Sequence, residues 1–314
     1  MLETFQATLS PMLVMFLCML IGFVLNKKKI VPENTATILS RLENYVLVPA
    51  LIISTFMKYC TVASLSEQYR LILYCVLSLA IGLVLAHLLV PFFTKDSYKK
   101  NIYRYALTFG NFGFMGNAIV PAILGDAELY HYMLYTLPLN LTVYTWGVAI
   151  LIPKTEQRQN PLKSLCNPTF VAIVIGILLG LFRVGDVMPG FISTTIQNLA
   201  ACMGPLAMVL TGFVIGNYHL PTLLKDKKVY IATALRLFLL PALFIGILWL
   251  IGAGKLPMTL TLFAFATPLG LNTVVFPAAY GGDTSTGASM AMISHTLCVV
   301  TIPLMYALLQ VVTR

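Results

Sequence analysis

Charge is what this sequence has least of. Only 10% of its 314 residues are Asp, Glu, Lys or Arg and 59% are hydrophobic, whereas about a quarter of a soluble domain is charged. So few charges cannot cover a water-facing surface, which excludes a soluble globular protein. Long polar stretches are missing too: the longest, Lys154 to Leu165, is twelve residues and leaves no room for a soluble domain. The six cysteines (Cys18, Cys60, Cys75, Cys166, Cys202, Cys298) form no C-x-x-C pair, so neither a disulfide framework nor a zinc site is indicated. They read as small apolar filler. No H-E-x-x-H, G-x-S-x-G or aspartate cluster occurs, and intramembrane hydrolases or prenyl transferases need one of these. No catalytic residue, cofactor or metal is therefore expected. A basic leader is absent as well. Only Glu3 is charged before the first apolar run, so that run is expected to stay as a helix.

What the sequence does have is apolar runs of membrane length. About 20 mainly apolar residues cross roughly 30 Å of hydrocarbon, and ten such runs occur, near 5–25, 36–57, 69–92, 103–124, 130–152, 168–184, 191–217, 230–252, 258–280 and 285–312. The expected fold class is an all-α polytopic membrane protein with ten spans.

The net charge of +9 does not point to nucleic acid, because the basic residues alternate between two sets of loops. One set holds thirteen: Lys27, Lys28, Lys29, Lys95, Lys99, Lys100, Arg104, Lys154, Arg158, Lys163, Lys225, Lys227 and Lys228. The other holds five: Lys58, Arg70, Arg183, Lys255 and Arg314. Cytoplasmic loops carry the excess. The chain is thus expected to be multi-pass in a plasma (inner) membrane, with both termini extracytoplasmic. Arg41 and Arg236 read as side chains snorkelling from inner helix ends.

Prolines recur at half the chain length. Pro49 and Pro205 are 156 residues apart, as are Pro121 and Pro277, while Pro11 and Pro168 are separated by 157. This suggests two repeats, 1–153 and 166–314, joined by a short cytoplasmic linker at 154–165. Five spans per repeat would invert the second copy relative to the first, a plan common among secondary transporters.

The fourth and ninth spans contain residues that interrupt helices. Thr108 to Asn117 carries Gly110, Gly113 and Gly116, with Pro121 beyond, and Thr267 to Thr273 carries Pro268 and Gly270, with Pro277 beyond. Glycine costs about 1 kcal/mol and proline about 3 in a helix interior. A broken membrane helix must line a wet cavity or be buried in protein, and the amides at a half-helix N-terminus favour anions. Asn111, Asn117, Thr267, Asn272 and Thr273 cluster at these breaks as candidate ligand-binding residues. Helix-packing glycines with backbone-bonded asparagines would give a similar pattern.

Neither break contains an acid. Glu43, two residues from Arg41, reads as interfacial. Asp283 reads as a cap on the last helix at the outer rim, or else as a gate. His295, at mid-depth in the last span, reads as a packing residue or a proton carrier.

Several pieces resemble the auxin efflux carrier family, which includes plant auxin carriers and bacterial malate and malonate permeases. They are Asn111-x-x-x-Met115-Gly116, Pro268-x-Gly270, Tyr280-Gly-Gly-Asp283 and Thr301-Ile-Pro303. The resemblance spans all ten apolar runs. It implies a scaffold of spans 1, 2, 6 and 7, a mobile unit of spans 3–5 and 8–10, elevator-like motion and a homodimer formed through the scaffold. It also implies that Asn111 is the crossing-point asparagine, that Asn140 stands for a site-lining glutamine of the plant carriers, and that Pro268 is a crossing proline. Two features depart from the plant pattern: Gly116-Asn117-Ala118 replaces Gly-x-Pro, and the long cytosolic loop is missing. The expected function is secondary transport of a small organic anion such as malate, malonate or an auxin-like carboxylate. Electrogenic uniport is the leading form, and a sodium- or proton-coupled symporter the alternative.

Overall fold

A computed structural model describes residues 1–153, 167–279 and 281–313. The expected linker at 154–165 and Tyr280 lie outside them. Helix dominates, and helical residues occupy each of the ten apolar runs. Among the described residues the helices of eight residues or more are α1 (Leu2–Lys27), α2 (Thr35–Tyr59), α3 (Val62–Phe93), α4 (Ser97–Thr108), α5 (Phe112–Leu124), α6 (Asp126–Leu151), α7 (Pro168–Leu181), α8 (Gly190–Gly216), α9 (Lys227–Leu250), α10 (Lys255–Phe265), α11 (Asn272–Ala279) and α12 (Ser285–Val312). Seven of them (α1, α2, α3, α6, α8, α9 and α12) are long and apolar enough to cross a membrane. The fourth and ninth runs are each interrupted, giving α4 and α5, then α10 and α11.

Local chemistry sets the helix ends. Thr61 and Ser64 form a reciprocal capping box at the start of α3, Asp96 accepts from the Lys99 amide at the start of α4, and Asn167 caps α7 ahead of Pro168. Each satisfies amides that have no partner within the helix.

Four of the helices contain a π-helical turn: Glu43–Leu47 in α2, Phe112–Gly116 in α5, Val143–Gly147 in α6 and Leu235–Leu239 in α9. In α2 and α9 the turn ends two residues before a proline, Pro49 or Pro241. A proline ring presses on the carbonyl four residues back, and the wider turn relieves that clash.

With hydrocarbon outside, helices associate by close packing rather than by the hydrophobic effect. Accordingly, α1 lies along α8 and α7 lies along α2, both pairs seated on glycine. A Cβ on Gly22 would strike the Val209 carbonyl, and one on Gly212 the Met19 carbonyl; likewise Gly180 faces the carbonyls of Phe56 and Cys60. Elsewhere α3 packs on α4 and α6, and α9 packs on α10 and α12.

Three sequence expectations need correction. Arg236 does not snorkel: it is 1% exposed, because it finds acceptors inside the protein. Glu43 is not interfacial but fully buried, at the first residue of the π-turn in α2. Asp283 does not sit on the outer rim: it lies 3.9 Å from Lys99, on the side of the basic loops. It accepts from the Ser285 amide and hydroxyl, tying down the start of α12.

Candidate functional site

The two interruptions meet. The Asn111 amide donates to the Pro268 carbonyl at 2.7 Å, and Gly110 pairs with Leu269 as an isolated antiparallel bridge. Two extended segments thus cross back to back, supplying each other with the hydrogen bonds that helix would have given. Gly110 permits the approach, since a Cβ there would collide with Thr267 and Arg236. Ser294 anchors the crossing by accepting from the Leu269 amide at 3.0 Å.

Helix resumes beyond the crossing. In α5 the first closing bond runs from the Met115 amide to the Asn111 carbonyl, so the amides of Phe112, Gly113 and Phe114 precede the ladder. In α11 the Thr273 amide already reaches Gly270. Gly113, Phe114, Leu271 and Asn272 border one cavity of about 270 Å³, which therefore faces two half-helix N-termini. That volume is near the lower end of the roughly 300–1,000 Å³ usual for ligand pockets, so the cavity suits a small solute.

Its polar wall is rich in asparagine. Asn111, Asn117, Asn140 and Asn272 all border it, together with Gly110 and Gly270. Among the described residues no charged side chain lines it. Each asparagine is held by one amide hydrogen bond: Asn111 to His295 at 2.9 Å, Asn117 to the Gly113 carbonyl at 2.8 Å, Asn140 to the Thr136 carbonyl at 3.3 Å and Asn272 to the Tyr105 hydroxyl at 2.7 Å. A second amide hydrogen remains on every one.

Other predicted site residues do not reach this cavity. The Thr267 and Thr273 hydroxyls donate to the Ala264 and Gly270 carbonyls, which keeps both in the buried backing of the crossing. Pro268 supplies its carbonyl to Asn111. Gly116 makes room for the Tyr132 hydroxyl, and Pro277 packs by Gly282. His295 stands behind Asn111, and Asp283 lies beside Lys99 at the start of α12.

Sequence reading overlooked further lining residues: Asn44 and Ser40 of α2, Tyr144 of α6, and Asn167 and Thr169 at the start of α7 also border the cavity. Asn44 and Tyr144 both sit in π-turns, a feature frequent at functional sites. A polar Asn44 within an apolar run was the available signal.

A second cavity, of about 510 Å³, opens toward the far end of α2 and is bordered by Lys58, Thr55, Pro121, Asp126 and Gln197. Among the described residues Asn117 is the one that the two cavities share.

A polytopic helical protein with a neutral polar cavity between interrupted helices is built to pass solutes, and the family model described as membrane transport protein matches residues 7–306. The chain belongs to that family, the auxin efflux carriers. A relative from Methanothermobacter thermautotrophicus, described as an uncharacterized transporter, is 21% identical over 301 residues, covering 96% of this chain and 98% of that protein.

Proposed function

We propose that this membrane transporter carries small organic carboxylates by alternating access, as an electrogenic uniporter built from ten spans in two inverted five-helix repeats. The observation that carries the reading is the small cavity, lined by no charge among the described residues, onto which two half-helix N-termini open. Such termini hold anions without a fixed cation, and the asparagines add neutral donors. With no carboxylate in the wall among the described residues, the site offers a coupling cation no obvious ligand there, which favours uniport over sodium or proton symport.

The repeat is supported by packing. If spans 1 and 6 correspond, as do 2 and 7, then α1 on α8 and α7 on α2 are the same contact made twice. The cavities agree with this: Asn44, Tyr45 and Val48 border the first, and the residues 156 further on, Ala200, Ala201 and Gly204, border the second. In this reading the second cavity is the inverted counterpart of the first, on the opposite side of the membrane. Asn117 lies where the two meet. Helices α1, α2, α7 and α8 act as the fixed scaffold, and the crossing moves with α3–α6 and α9–α12.

Uptake of radiolabelled malate, malonate and indole-3-acetate into proteoliposomes tests this directly. Saturable flux with trans-stimulation by unlabelled substrate is expected. Flux without trans-stimulation would indicate a channel, and no flux of any carboxylate would remove the anion assignment.

A further inference from the structure

Arg236 has no carboxylate partner among the described residues, although it sits 1% exposed in the middle of α9. An ionisable residue buried at membrane depth is expensive and marks function. Its guanidinium instead serves the ends of two helices at once. Nη1 donates to the carbonyls of Leu107 and Thr108, each at 3.2 Å, and these are the last two residues of α4. Nη2 reaches the Ala264 carbonyl at 3.4 Å, and the Phe265 ring centroid lies 5.4 Å from Cζ; these are the last two residues of α10. The final carbonyls of a helix lack helical partners and carry its negative end. Two such ends converge here because both spans are interrupted at the same depth, and the planar guanidinium fork reaches both.

We propose that Arg236 is a built-in counter-cation: it neutralises the two converging helix C-termini, positions the crossing, and stands where a coupling cation would otherwise be needed. The idea deepens the transport reading and rests on it. It explains how a crossing without carboxylates forgoes a bound sodium ion, which freed backbone carbonyls could otherwise coordinate. Arg236 borders neither cavity, so it acts through the half-helices and not on the ligand.

The test uses the purified full chain in proteoliposomes with Arg236→Ala, Arg236→Met and Arg236→Lys. Arg236→Ala should lose at least about tenfold in carboxylate flux, as expected when charge-assisted hydrogen bonds are removed. Low-millimolar guanidinium chloride should restore it with a saturable dose response, and Arg236→Lys should exceed Arg236→Met. Wild-type flux by Arg236→Met in buffer free of inorganic cations would overturn the proposal, since charge would then be dispensable. So would equal failure of Lys and Met variants with no rescue by guanidinium or sodium, which would leave only a packing role. Where a variant folds poorly, thermal midpoints decide: a guanidinium-dependent rise in Arg236→Ala supports the proposal, and its absence with Lys and Met variants equally unstable overturns it. These midpoints also separate the two ideas, because a wild-type chain that moves no carboxylate refutes transport while leaving the guanidinium response readable.

Discussion

The side-chain amide of Asn111 donates to Nε2 of His295 at 2.9 Å, while Nδ1 of the same ring lies 2.7 Å from the Ala291 carbonyl. A carbonyl only accepts, so Nδ1 carries the proton and Nε2 is the acceptor. The ring is neutral and fully engaged, and it sets the direction of an asparagine that borders the cavity. His295→Gln keeps an acceptor for Asn111 and should transport at near the wild-type rate. His295→Ala frees Asn111 and should raise KM by about tenfold, the lower range for losing a bond to a charged ligand through a misplaced donor. Equal loss in both variants would show that the imidazole itself is required.

Asn272 is held by Tyr105 at 2.7 Å and presents its second amide hydrogen to the cavity. Asn272→Ala should weaken carboxylate binding by about 10- to 150-fold, or roughly 1.5–3 kcal/mol, as read from the substrate-induced shift in thermal midpoint. Thr273→Val, one residue on but facing away from the cavity, should leave binding unchanged. A reversed pattern would move the ligand to the other side of α11.

Glu43 is fully buried, and neither carboxyl oxygen has a hydrogen-bond partner among the described residues. A buried charge without a partner is destabilising, and neutral replacement is often neutral or favourable. Glu43→Gln should therefore raise stability by about 1 kcal/mol in detergent unfolding and leave flux intact. A marked loss of stability or flux would mean that the ionisable carboxyl has work elsewhere in the transport cycle.

Much of this arrangement is legible in the sequence because its causes are local. Apolar runs give the helices, and Gly110, Pro268 and Gly270 lie where two of them are interrupted, as backbone propensity leads one to expect. The asparagines follow as the polar residues at those interruptions. What could not be read depends on pairing across the chain. Asn44 joins the cavity only because α2 faces the crossing. Arg236 looks like an ordinary inner-end cation until carbonyls 128 and 129 positions earlier are freed beside it. The side of Asp283 became clear only through Lys99, a neighbour 184 residues away in sequence. Thr267 and Thr273 were over-read, since a hydroxyl can satisfy itself on nearby backbone.

The last prediction concerns energy coupling. With no carboxylate on the cavity wall among the described residues and a fixed guanidinium at the helix ends, transport should need neither a sodium nor a proton gradient. Membrane potential suffices as a driving force: moving one charge is worth about 2.3 kcal/mol per 100 mV. For a monoanion leaving an inside-negative cell this sustains roughly a 50-fold gradient. Currents from proteoliposomes on a solid-supported membrane read the result. A substrate-induced current should persist in sodium-free buffer and keep its sign across roughly pH 6 to 8, where histidine titrates, after allowing for substrate ionisation. It should persist in His295→Gln as well, a variant that orients Asn111 but cannot carry a proton. His295→Ala is the wrong probe, because it disturbs Asn111 whatever the ring does. Strict sodium dependence would place a cation among the crossing carbonyls, and loss of current in His295→Gln with folding intact would assign the proton to the ring. Either result would replace uniport with a coupled carrier.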